Sequence, residues 1–126
     1  MFLRKMVALP VLMLAGLVCA YAADITGKWT AEFDTQVGVQ KYTYDFKVEG
    51  TKLTGKAIGD IGGTVSQSDI QEGTISGDDI SFVETQNYQG QALRIVYKGK
   101  VSGNEIKFTR NVADTATEEL VAKRAK

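Results

Sequence analysis

From Ile25 to the end of the chain, apolar and polar positions alternate with a period of two. Tyr42, Tyr44, Phe46 and Val48 are interleaved with Lys41, Thr43, Asp45, Lys47 and Glu49, the pattern of a strand with one dry and one wet face. The same alternation runs through Trp29, Ala31 and Phe33, through Ile80 and Phe82, through Leu93, Ile95 and Tyr97, and through Ile106 and Phe108. Gly50-Thr51, Gly77-Asp78 and Gly103-Asn104 punctuate these runs with residues suited to tight hairpins. The pattern predicts strands near 26–34, 39–49, 52–59, 64–76, 79–87, 91–102, 105–111 and 117–124, the fourth of them broken.

Connections this short leave no room for crossover helices, so a parallel α/β fold is excluded. The expected fold is all-β: an antiparallel up-and-down β-barrel of about eight strands, closed so that no sheet edge is left bare. Glu118, Glu119, Leu120 and Ala122 are good helix formers, yet a strand is expected there because the first strand needs a closing partner. Gly73–Phe82 and Gly99–Phe108 resemble each other in both glycines, the turn residue and the apolar positions, as two hairpins solving one geometric problem would. The single proline is Pro10, so nothing after the first two dozen residues interrupts pairing.

The start of the chain has a different character. Arg4 and Lys5 precede an apolar run from Val7 to Val18, and Ala20-Tyr21-Ala22 follows, the layout of a secretory signal peptide. The expected organisation is a signal peptide over 1–22 and one barrel domain over 23–126, exported to the periplasm or secreted, with no stable membrane anchor after cleavage. Val18 before Cys19 argues against a lipid-anchored cysteine, because a small residue is needed there. Removing Arg4 and Lys5 leaves 15 − 2 = 13 basic against 15 acidic residues, a net charge of −2. With no basic stripe, no nucleic-acid partner is expected.

Histidine is absent, and the only cysteine is Cys19. Ser-His-Asp and Cys-His nucleophiles and His/Cys zinc or copper sites therefore cannot be built. No cofactor and no metal site are expected, and any catalysis would depend on carboxylates, lysine, tyrosine or an all-oxygen metal site.

Gly27-Lys28-Trp29 on the first strand, with Arg124 as the cation from the last, resembles the signature of calycins, the barrels that include lipocalins, fatty-acid-binding proteins and avidins. Val48–Gly55 is similar to the second hairpin of avidin-type barrels. Asp24–Trp29, Lys100–Phe108 and Ala122–Ala125 resemble small exported bacterial proteins that carry a glycoside hydrolase label. The resemblance implies a barrel floor closed by Trp29 and Arg124. It does not carry biotin binding, since Trp29 is the only tryptophan, and lipocalin-type disulfides are missing. Its motifs are turns and core positions, none of them catalytic.

Strand order puts the three tight turns at one end and the longer connections expected at 35–38, 60–63, 88–90 and 112–116 at the other, where a ligand mouth is expected. Parity turns Glu84, Gln86 and Arg110 inward, and a buried charge needs a partner; Tyr42, Tyr44, Tyr97 and Gln91 are the candidates. The expected lining is Phe33, Tyr42, Tyr44, Glu84, Gln86, Tyr88 and Arg110. Three functions compete: a binding barrel for a small ligand such as a carbohydrate, or for a protein; a glycoside hydrolase with Glu84 as catalytic acid and Asp34 or Asp60 as its second carboxylate; and a structural or inhibitory envelope protein without a pocket. A homo-oligomer is a further expectation, with Ile58, Val83 and Val96 as outward apolar positions.

Overall fold

A computed structural model describes residues 23–36 and 38–125; the expected signal peptide lies outside the described residues, as does the side chain of Tyr88. Among the described residues nine strands form, β1 (Gly27–Thr35), β2 (Gly38–Glu49), β3 (Lys52–Ile61), β4 (Thr64–Asp69), β5 (Gln71–Ser76), β6 (Asp79–Tyr88), β7 (Gln91–Ser102), β8 (Glu105–Val112) and β9 (Ala116–Arg124). Every pairing is antiparallel. Consecutive strands pair, except that β4 and β5 both pair with β3, and the sheet returns on itself through β2–β3 and β1–β9. The architecture is an eight-stranded antiparallel barrel with one extra strand, β4.

The expected break in the fourth strand falls at Ile70, whose side chain is buried in the core. Before it, β4 pairs with the upper half of β3 from Thr64↔Ile61 to Asp69↔Lys56. After it, β5 takes over, with one ladder pair, Lys52↔Thr74, and backbone bonds from Ile70 N to Gly55 O and from Ile75 N to Thr51 O, both 2.9 Å. The hand-over needs close backbone approach, which glycine alone allows: a Cβ on Gly73 would sit 2.1 Å from the Leu53 carbonyl oxygen. Closure between β1 and β9 is also narrow. Only Trp29↔Arg124 and Thr30↔Lys123 pair, with one further bond from Ala125 N to Lys28 O at 2.8 Å.

One end is sealed. Ile25 and Trp29 are fully buried there, Ala23 N reaches across to Gly77 O at 2.9 Å, and Trp29 Nε1 donates to Ile25 O at 2.9 Å. Arg124 lies over the indole with its guanidinium carbon 4.5 Å from the ring centroid, and donates to the Asp24 and Thr26 carbonyls. Above this floor the rings of Tyr44, Phe46, Phe82, Tyr97 and Phe108 pack edge-to-face or stacked, Phe82 on Tyr97 at 4.3 Å. They fill the lower lumen, as the narrow bore of an eight-stranded barrel allows.

The other end corrects an expectation. Its connections are not long: β1–β2, β3–β4 and β6–β7 are joined by two residues each and β8–β9 by three, against two at each floor turn. Left-handed Gln89, Ala113 and Asp114 make tight turns there without relying on glycine alone, so turn chemistry judged by glycine spacing underestimates how far the strands run. The wall of the mouth is therefore strand rather than loop. Of the three outward apolar positions, Val83 is 4 % exposed where Gln71 of β5 pairs opposite it, and Ile58 and Val96 are half-buried. Among the described residues the large apolar side chains left in water are Val39, Val65 and Val121.

Candidate functional site

Inward parity brings one acid and one base into the upper lumen. Glu84 of β6 and Arg110 of β8 are 2 % and 1 % exposed, which demands partners. Two tyrosines supply them. Tyr42 Oη donates to Glu84 Oε2 at 2.7 Å and Tyr97 Oη donates to Oε1 at 2.8 Å. Arg110 grips the same two oxygens, with Nη2 donating to Tyr42 Oη at 3.2 Å and Nε to Tyr97 Oη at 2.9 Å. Tyr44 extends the chain downward, donating to Tyr97 Oη at 3.0 Å. Arg110 and Glu84 themselves approach only to 4.0 Å, so the pair is bridged by phenols. The guanidinium also lies 5.3–5.6 Å from the ring centroids of Phe33, Tyr42 and Tyr97.

Desolvation by burial, with Glu84 beside it, pushes the Tyr42 hydroxyl well above the usual phenol range. Burial raises Tyr44 and Tyr97 in the same direction. Burial alone would lower Arg110, but the oxygens of Tyr97, Tyr42 and Glu84 hold it above the ordinary guanidinium range. A phenol raised in the folded state contributes stability that is complete below its unfolded pKa of about 10 and is lost as pH rises through the folded value. Tyrosinate absorbance from these three residues is thus expected to appear together with unfolding above about pH 10, not before it. A graded titration of all three in the folded barrel would contradict their burial.

Two side chains outside the expected set complete the site. Glu118 of β9 accepts from Arg110 Nη1 at 2.5 Å, its side chain 14 % exposed. Gln40 of β2 is 3 % exposed, and its Nε2 donates to Thr35 Oγ1 at 3.2 Å. Thr35 spends its hydroxyl proton on Gly38 O at 2.8 Å, so the amide must present nitrogen to it. Gln40 Oε1 is left buried without a donor, at a cost of about 1–3 kcal/mol. Both residues were within reach of the parity argument: Gln40 precedes Tyr42 by two, and Glu118 precedes Leu120 by two. Strand ends turning polar is ordinary, which masks the signal.

Above Arg110 the mouth holds a cup of about 200 Å³, lined by Gln40, Gln86, Arg110 and Glu118 with Thr35, Thr115 and apolar Ile61, Leu93, Val112 and Ala116 among its walls. At about 30 Å³ per water this is room for roughly seven waters, below the span of drug-sized pockets. No family model, curated protein or solved structure matches the chain. The site is therefore read from its own geometry.

Of the expected lining, Gln86 and Arg110 border the cup. Tyr42 and Glu84 lie beneath it in the network, Tyr44 lies deeper in the aromatic core, and Phe33 borders a different hollow. Tyr88 ends β6, with its side chain outside the described residues. Gln91 is exposed and takes no part. Asp34 and Asp60 alternate with inward Phe33 and Gly59, so they face outward, away from Glu84; Asp60 accepts from Gly63 N at 2.9 Å. The second hollow, about 1070 Å³, follows the outer flank across β8, β9 and β1 to β4. Outward Lys41, Lys107 and Lys123 alternate there with Glu32, Asp60 and Glu119. It is larger, but its polar residues are exposed or half-buried, apart from the Tyr42 edge, whereas the cup stands on three side chains at least 97 % buried or ion-paired. Among the described residues no group of three His, Cys, Asp or Glu could hold a metal ion.

Proposed function

We propose that this barrel is an exported, non-catalytic binding protein that seats a small polar ligand, or the polar end of a longer one, in the mouth cup. The observation that carries the proposal is Gln40: a buried amide oxygen with no donor, in the wall of a concavity whose floor, Arg110, is fixed by three partners. A calycin-like architecture, closed at one end and open at the other, supports the same site. A glycoside hydrolase asks for two carboxyl groups about 5–9 Å apart on either side of a sugar bond. Both Glu84 oxygens are taken by tyrosine hydroxyls, and Asp34 and Asp60 face outward, so that alternative has less support. An envelope protein without a ligand would have no use for an unmet acceptor beside a cup.

Thermal unfolding against a panel of sugars, amines, fatty acids and short peptides tests the proposal. At least one class is expected to raise the midpoint in a saturable way, and Ala116→Trp, which fills the cup from its rim, is expected to abolish the rise. A midpoint unmoved by every class would overturn it, and release of sugar from oligosaccharides by the purified protein would restore the hydrolase.

A further inference from the structure

The chemistry of the ligand follows from which hydrogen-bonding groups border the cup, provided the mouth is the binding site as proposed above. The buried donor nitrogens there each already serve an acceptor, and Gln36 adds an exposed amide at the rim. Arg110 directs Nε, Nη1 and Nη2 to Tyr97, Glu118 and Tyr42. Gln86 Nε2 donates to Tyr42 Oη at 3.4 Å, Gln40 Nε2 to Thr35, and Thr115 gives its only hydroxyl proton to Val112 O at 2.9 Å. Acceptors remain. Gln40 Oε1 has no donor, and neither the second oxygen of Glu118 nor Gln86 Oε1 receives a bond from any described residue.

Charge points the same way. Glu84 and Glu118 against Arg110 leave a formal sum of −1 − 1 + 1 = −1 beneath and beside the cup, and no lysine is among its lining residues. Unmet acceptors, one uncompensated negative charge and an apolar wall of Ile61, Leu93 and Val112 suit a positively charged, multiply donating head on a short hydrocarbon stem. We infer that the cup binds a primary ammonium group carried on an aliphatic chain, with Gln40, Gln86 and Glu118 as its acceptors. A neutral sugar would satisfy the acceptors but not the charge, and a carboxylate would satisfy neither.

The test measures affinity by thermal shift and calorimetry at fixed ionic strength, with n-butylammonium, Nα-acetyl-lysine amide, n-butanol, butyrate and a methyl glucoside. One or both ammonium compounds should bind at least tenfold more tightly than butanol, with butyrate silent. A preference between the two separates a free amine from a lysine side chain of a partner protein. Glu118→Gln should weaken ammonium binding at least tenfold, while Glu119→Gln on the outer face leaves it unchanged. If Glu118→Gln does not fold, Gln40→Leu should show the same selective loss. Binding of methyl glucoside, butanol or butyrate in preference to both ammonium compounds would refute the ammonium assignment and leave the mouth site standing. Silence from all five, together with an unresponsive wider panel, would remove both.

Discussion

Arg110→Met is expected to cost about 3–5 kcal/mol, because it leaves Glu84 as an unpaired charge in the barrel interior. For a domain of this size that is a fall in melting temperature of roughly 15–25 °C. The side chain is 1 % exposed, so methionine replaces its volume and the loss reports electrostatics rather than a cavity. Glu118 loses the same partner, but its side chain is 14 % exposed and water can solvate it. Adding Glu84→Gln should recover a large part of the loss, since an amide oxygen still accepts a tyrosine proton and carries no charge. A double variant no more stable than Arg110→Met alone would show that Glu84 is not what Arg110 holds in place. This coupling is the signature of a network that acts as one unit.

Gly55→Ala should be nearly as damaging, for a reason of backbone rather than charge. Gly55 adopts φ +141°, and a Cβ there would lie 1.8 Å from the Asp45 carbonyl oxygen. Neither strand can yield without opening the β2–β3 ladder, in which Gly55 sits opposite Phe46, and the hand-over from β4 to β5 would lose the bond from Ile70 N to Gly55 O. A loss of about 3 kcal/mol or more is expected, at the upper end of what overpacking costs. Gly62→Ala is the control: φ is +59° with nothing within 4 Å of the new Cβ, so only the left-handed conformation is penalised, by about 1–2 kcal/mol. Equal effects at the two positions, measured by denaturant titration, would contradict the close approach at Gly55.

These residues show how much of the barrel is legible in the chain. Local periodicity carries the strands, because side-chain alternation is decided within a few residues, and the inward direction of Glu84 and Arg110 follows from Ile80, Phe82, Ile106 and Phe108 two and four positions away. Gln40 and Glu118 obey the same rule, but a polar residue at a strand end reads equally well as a side chain meeting water. The sequence offers Tyr42, Tyr44, Tyr97 and Gln91 as partners for the inward charges, but not Glu118, which Arg110 approaches most closely. That Tyr42 and Tyr97 bridge Arg110 to Glu84 depends on strands 42 and 13 residues apart from Glu84. The two narrow seams, β1–β9 and β3–β5, are likewise settled by distant pairing and by where Gly55 and Gly73 permit contact. The short β8–β9 turn is hidden because Ala113 and Asp114, left-handed without being glycine, carry no turn signal strong enough to displace a loop.

The proposed contact surface is the small cup rather than the larger flank hollow, and backbone-amide and methyl NMR mapping of a bound ligand tests that proposal most directly. With a compound that raises the melting temperature, shifts are expected at Gln40, Gln86, Leu93, Val112 and Ala116 and not at Val65 or Val121. Shifts gathered on Val65, Val121 and Lys123, with the cup silent, would contradict it.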